Sequence, residues 1–137
     1  MLKKENKTIV KRFLEWIRIK INLHENNAEP PLVNERDLWW ISFGENVGSE
    51  MDGKSRLFSR PGLIIKKLSH GFFLVAPTTS KPHDGSWYVK IKQTGRDTFV
   101  CLHQIRAVDY RRFSTRLGQI DGDDFARVKE VFWKLYK

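Results

Sequence analysis

Arg60-Pro61 and, further on, Pro77-Thr78-Thr79-Ser80-Lys81 are the residues of this chain whose types suit chemistry on a phosphodiester. Without a metal, such chemistry needs cationic donors for the developing charge, a hydroxyl or amide to hold the phosphate, and a group that moves protons. Arginine offers phosphate a fixed fork of donors. A threonine hydroxyl both donates and accepts. Each residue also has a plainer reading: Arg60 as a surface arginine at a strand end, and Thr78, Thr79 and Ser80 as a turn. Other chemistries find less support. There is no phosphate-binding P-loop and no dinucleotide fingerprint. His24, His70, His83 and His103 are scattered without paired metal-ligand spacing. Cys101 lies among Phe99, Val100 and Leu102 and reads as a small buried hydrophobe rather than a nucleophile.

The surroundings these residues need can be bounded by composition. The chain has 137 residues, 40 % of them apolar, with nine Phe, five Trp and three Tyr. That is enough for one packed domain with a terminal extension, and it argues against wholesale disorder. Lys and Arg total 25 against 16 Asp and Glu, a formal charge of +9. The excess favours an anionic partner: nucleic acid, a membrane surface or an acidic protein. One cysteine excludes an internal disulfide framework. No segment approaches the ~20 apolar residues of a membrane span. Lys3, Lys4 and Lys7 make the N-terminus basic, but Lys11, Arg12, Glu15 and Arg18 interrupt any signal-peptide core. A cytoplasmic protein with no membrane partner is expected.

The elements follow from periodicity. Over residues 5–23, Ile9, Val10, Phe13, Leu14, Ile17 and Ile21 recur at helical steps and predict a helix packed on its own domain by this stripe. Asn26, Asn27, Pro30 and Pro31 end it and make a linker. Residues 37–43 read as a strand and residues 44–59 as a long polar loop. Strands are predicted over 62–68 and 71–76, another through Trp87, Val89 and Ile91 with Trp87 in the core, and another over 98–108. Asp121, Asp123 or Asp124 caps a final helix running to about Leu135, with Phe125, Val128, Val131, Phe132 and Leu135 as its apolar stripe. The fold class is α+β: a small, partly open barrel with a closing helix.

Taken in order, several segments resemble the MazF/PemK family of toxins from bacterial toxin–antitoxin systems. They are W-W-I-S-F-G (39–44), N-V-G-S-E (46–50), R-P-G-L-I-I (60–65), V-A-P-T-T-S-K (75–81) and F-V-C-L-H-Q-I-R-A-V-D-Y-R-R-F (99–113). The tail from Leu117, with D-D-F-x-x-V, is similar too. The resemblance implies an SH3-like barrel of the MazF/PemK/CcdB type over residues 34–137, with residues 1–33 as an N-terminal helical extension and linker. It implies a homodimer that acts without metal or other cofactor as a sequence-specific endoribonuclease on single-stranded RNA. There the ribose 2′-OH attacks the adjacent phosphate and leaves a 2′,3′-cyclic phosphate and a 5′-OH.

The family's arginine before proline falls on Arg60, expected to stabilise the phosphorane, and its threonine falls on Thr79, expected to hold the phosphate or stabilise the same charge. Arg56 is a rival for the arginine role. Glu50 or a bound water is the candidate base, because arginine stays protonated. Lys54, Arg56, Lys66, Lys67, Ser80 and Lys81 are candidate phosphate contacts, Phe58 or Trp87 a candidate base-stacking ring (with core preferred for Trp87), and Gln104 and Arg106 candidate RNA contacts. Asp109 and Arg111 instead suit a local turn. The loop over 44–59 matches the family's mobile loop, which gates the RNA groove. The resemblance also implies an antitoxin partner that fills that groove and forms a DNA-binding complex with the toxin. Gly62 where Val is common, and His103 where Glu is common, depart from the family pattern. Two other readings remain at this level: a toxin of the same barrel that poisons a protein such as gyrase, and a non-catalytic RNA-binding module.

Overall fold

The computed structural model describes residues 4–137, and side chains from residue 8 onward. Lys3 and the side chains of Lys4 and Lys7 lie outside the described residues. Helix α1 (Lys4–Glu25) leads into β1 (Asp37–Ser42), β2 (Ser59–Ser69) and β3 (Phe72–Thr79). Then come β4 (Tyr88–Gln93), β5 (Arg96–Cys101), β6 (Arg106–Asp109), β7 (Phe113–Gln119) and helix α2 (Gly122–Leu135). The strands form one antiparallel sheet in the order β4-β5-β3-β2-β1-β7, with β6 also paired to β3. The sheet is the small SH3-like barrel expected, and both expected helices are present.

Strand β2 explains how the barrel closes around two cores. Leu63 and Ile65 point into one cluster with Leu38, Ala76, Val89, Ile91 and Val100, sealed by Val128 of α2. Ile64, between them, points the other way, to Trp39, Ile41, Phe43, Phe73, Val75 and Val108. A strand buried on both faces reads as a continuous apolar run, which is why 62–65 shows no alternation. Each fully buried aliphatic or Phe side chain here contributes about 1.5–3 kcal/mol. Gly62 lets Ile41 pack close: a Cβ there would come within 2.6 Å of Ile41 Cδ1, and the Ile41 side chain would have to shift.

Four expectations are corrected. Residues 98–108 are not one strand; a 3-10 turn at Leu102–Gln104 separates β5 from β6. Thr78 pairs with Val100 and Val75 with Arg106, so the break lies opposite Pro77, which has no N–H for a ladder. Strand β7 has no counterpart among the predicted strands, because Ser114, Thr115 and Gly118 blur its pattern and its pairing with β1 is interrupted by bulges. Trp87 precedes β4 and is 42 % exposed rather than core; its ring lies near those of His103 and Tyr136.

The fourth correction concerns α1. It does not pack by the predicted stripe: Leu14 is 58 % and Ile17 and Ile21 each 50 % exposed. Trp16 is the buried residue instead, its ring 5.6 Å from that of Phe58. One large ring in a fitted socket fixes the helix more strongly than several aliphatic side chains with no surface opposite them. The C-terminal end of α1 is tied down separately. Arg111 Nη1 donates to the His24 carbonyl at 2.8 Å, and the Tyr110 hydroxyl donates to the Ala28 carbonyl at 2.6 Å.

Candidate functional site

Antiparallel pairing brings the start of β2 beside the end of β3. Ile41 pairs with Arg60, and Gly62 with Pro77. The Thr78 hydroxyl donates across the two strands to the Pro61 carbonyl at 2.9 Å. Arg60 and Thr79 thereby line one cavity of about 650 Å³, with Lys54, Ser80, Arg96 and Asp97 also on its wall.

The polar atoms of this pair are arranged for an anion. Arg60 Nε donates to the Asp52 carbonyl. Its terminal amino groups have no hydrogen-bond partner among the described residues, which leaves the outer edge of the fork for an incoming oxyanion. Thr79 is 8 % exposed, and its Oγ1 accepts from the Lys81 N–H at 3.3 Å. The hydroxyl proton is left to donate. Asp97 is the one carboxylate on this wall among the described residues. Its bond to Lys92, 2.6 Å, holds its pKa below the usual carboxylate range and so weakens it as a base.

The structure separates other candidates from this pair. Glu50 lines a separate cavity of about 380 Å³ with His103, Gln104 and Arg106, and its Oε1 accepts from the Val47 N–H at 2.8 Å. Gln104 spends both ends of its amide on the loop: Oε1 accepts from Met51 N–H at 2.9 Å, and Nε2 donates to the Ser49 carbonyl at 2.8 Å. It is a fastener of the loop here, not an open base-reading group. Phe58 is 2 % exposed beneath Trp16 and the Arg12 guanidinium, so it is a loop anchor rather than a stacking platform. Arg56 lines a different cavity, beside Arg12, Glu15 and Arg18 of α1, and does not share the wall that carries Thr79. Lys66, Lys67 and Lys81 are exposed outside the Arg60–Thr79 wall. Asp109 behaves as expected, accepting from Arg111 N–H at 2.9 Å and Nε at 2.8 Å. The Arg111 side chain is the main cause of its lowered pKa.

Two half-buried cations hold the place where the loop leaves β1. Arg112 Nη1 donates to the Ser42 carbonyl at 2.9 Å and Arg106 Nη1 to the Phe43 carbonyl at 3.1 Å. Burial, then the charge of Arg106, pushes the Arg112 pKa down to about 10, with Asp109 partly offsetting this. It still carries its charge at neutral pH. Cys101 is fully buried, and burial raises its thiol to about 11 against the nearby charge of Arg60. It is a protonated packing group at neutral pH, as its neighbours in sequence suggest. Among the described residues, no three His, Cys, Asp or Glu side chains gather where they could share a metal, and no helix is long and apolar enough to cross a membrane.

Sequence reasoning missed the far wall of the main cavity. Gln93, Thr94, Arg96, Asp97 and Thr98 come from the β4–β5 hairpin. Their sole local signal is the Thr94–Gly95 turn; it is the pairing of β5 with the end of β3 that carries them to Thr79.

The fold and this cleft define a small α+β barrel with an arginine–threonine pair at the mouth between neighbouring strands. Residues 34–135 match the family described as PemK-like, MazF-like toxin of type II toxin-antitoxin system. The chain belongs to that family. Among solved structures it is similar to MazF from Deinococcus radiodurans, at 23 % identity over 79 % of this chain and 97 % of that one, with a TM-score of 0.64. A MazE–MazF structure from the same organism is similar at 20 % identity, covering 79 % of this chain and 96 % of the other, TM-score 0.58. An endoribonuclease in complex with its cognate antitoxin, from a mycobacterial species, is similar at 9 % identity over 75 % and 93 % of the two chains, TM-score 0.59. These likenesses establish the fold. Among curated proteins nothing matches significantly.

Proposed function

We propose that this toxin is a sequence-specific endoribonuclease of single-stranded RNA that works without a metal, with Arg60 and Thr79 at its centre. The observation that carries the reading is the shared cavity, in which Arg60 keeps its outer amino groups and Thr79 its hydroxyl proton for a phosphate. In the reaction the ribose 2′-oxygen forms a bond to phosphorus while the bond to the 5′-oxygen breaks. The 2′-OH proton leaves to a base, and a proton goes to the departing 5′-oxygen. The products are a 2′,3′-cyclic phosphate and a 5′-OH. Arg60 opposes the charge that builds on the phosphorane, and Thr79 donates to a phosphate oxygen. Lys54, Ser80 and Arg96 on the wall supply further phosphate contacts. Glu50, in a separate cavity, is not assigned as the base; solvent water takes that role in this reading.

The same reading gives residues 1–33 as an extension and 34–137 as the toxin domain, in keeping with a family match that begins at residue 34. It also gives a cytoplasmic homodimer and an antitoxin whose acidic, partly disordered segment folds on the +9 surface. Relatives solved as toxin–antitoxin complexes support that partner.

The test is incubation of the purified chain with a long single-stranded RNA in EDTA, followed by mapping of the cut ends. Discrete cuts at a recurring short motif with 5′-OH ends are expected. Arg60→Ala and Thr79→Ala should each cut about 10²–10³-fold more slowly, the scale for losing one donor to developing charge. Intact RNA with the folded, antitoxin-free chain overturns the reading, as does wild-type cleavage by both variants.

A further inference from the structure

Helix α1 is joined to the rest of the chain at an unexpected place. Its buried face meets the loop between β1 and β2, residues 43–58, which borders the Arg60–Thr79 cavity. Arg12 Nη2 pairs with Glu45 Oε1 at 3.0 Å, Nη1 donates to the Ser55 carbonyl at 3.4 Å, and the guanidinium lies 4.0 Å from the centre of the Phe58 ring. The Trp16 ring lies 5.6 Å from that of Phe58 and against Gly44 so closely that a Cβ there would fall 2.4 Å from the indole. One side chain of α1 thus reaches the beginning of the loop at Glu45 and its end at Ser55 and Phe58.

The loop needs such a clamp. Ser55 and Phe58 both have left-handed backbones, at φ 64° and 52°. A non-glycine residue keeps that conformation where its surroundings impose it. The middle of the loop is fastened to the barrel by Gln104 at Ser49 and Met51. The Phe58 end is fastened by α1, together with the backbone bonds Gly44 N–H to Phe58 carbonyl, 3.0 Å, and Gly53 N–H to Gly44 carbonyl, 2.8 Å. This end matters chemically because the carbonyl of Asp52, next to Gly53, receives Arg60 Nε.

We infer that α1 sets the active geometry of the cleft from outside the barrel, with Arg12 and Trp16 as positioning residues acting through the 43–58 loop on Arg60. The catalytic half of this inference rests on the ribonuclease reading above. Neither residue touches the cavity, so neither contributes to RNA binding there. Their loss leaves Arg60 in place in sequence but without a fixed carbonyl to orient its fork.

The experiment measures steady-state cleavage of a single-stranded RNA by the full chain, its Arg12→Ala and Arg12→Lys variants and Trp16→Phe. Amide hydrogen exchange is followed on the same samples. Arg12 is partly solvent-accessible, so Arg12→Ala should keep the barrel folded. Expected are a fall of about tenfold in kcat with KM changed less than about threefold, and partial recovery in Arg12→Lys. Loop amides over 44–58 should exchange about tenfold faster in Arg12→Ala, while β1–β3 stay protected. Cleavage by Arg12→Ala at the wild-type rate or faster overturns the positioning role. Unchanged loop exchange overturns the clamp itself. A wild-type chain that cuts no RNA overturns the ribonuclease reading and the catalytic half with it, and exchange still decides whether α1 holds the loop.

Discussion

The two helices of this protein carry the same kind of signal and meet opposite fates. Both have an apolar stripe at helical spacing. Helix α2 lays its stripe on the barrel: Val128 is fully buried, and Phe125, Val131, Phe132 and Leu135 pack around it against the core. Helix α1 turns Leu14, Ile17 and Ile21 to solvent and holds on through Trp16 and Arg12. Helix α2 closes a core, whereas α1 steadies a loop. Amphipathicity tells that a segment is helical. It does not tell which face finds a partner.

The contrast can be broken by substitution. The largest effect is expected for Val128→Asp, which places an unpaired charge in a site with no exposure. It should cost several kcal/mol and leave little folded protein, while Val128→Ala should cost about 2 kcal/mol and lower the unfolding midpoint. Denaturant titration followed by circular dichroism measures both.

A smaller effect is expected at the start of α2. Asp124 accepts from the Lys92 N–H at 3.0 Å and from Arg127 Nη2 at 2.8 Å, and the bond from Lys92 leads the causes that lower its pKa. A carboxylate with a depressed folded pKa stabilises the fold above its unfolded value of about 3.9. That contribution disappears as pH falls through the lowered folded value. Asp124→Asn should therefore reduce stability at neutral pH and shrink the difference between pH 5 and pH 2, as read from melting curves across that range. Equal acid sensitivity in the two proteins would refute the assignment.

The smallest effect should come from α1's outer face. Leu14→Ser and Ile17→Ser should change stability by less than about 0.5 kcal/mol and leave RNA cleavage unchanged. A larger loss, or a change in mass by sedimentation, would mean that this face is covered by a partner in solution, and the contrast with α2 would vanish.

Much of the site is legible in the chain itself. Arg60-Pro61 and Pro77-Thr78-Thr79 stand out by residue type and order, and the structure brings Arg60 and Thr79 to one cavity. The loop between them and β1 is legible as a polar, glycine-punctuated stretch. What cannot be read there is how side chains are spent. Gln104 looks like a base reader and is used on Ser49 and Met51. Phe58 looks like an exposed loop aromatic and is covered by a helix forty residues earlier in the chain. Arg96 and Asp97 look like ordinary hairpin charges and stand opposite Thr79.

Local spacing and residue type by themselves determined two helices, a sheet of short strands, and the order of the residues that meet at the cleft. These follow from the periods of the backbone and the stereochemistry of turns, which neighbours in sequence decide. Tertiary structure alone decided which face of α1 is buried, where the long strand over 98–108 breaks, and which polar groups remain unspent for a ligand. Burial and hydrogen-bond satisfaction depend on surfaces supplied by distant segments, and Trp16 has its socket only once Gly44 and Phe58 have been folded beneath it.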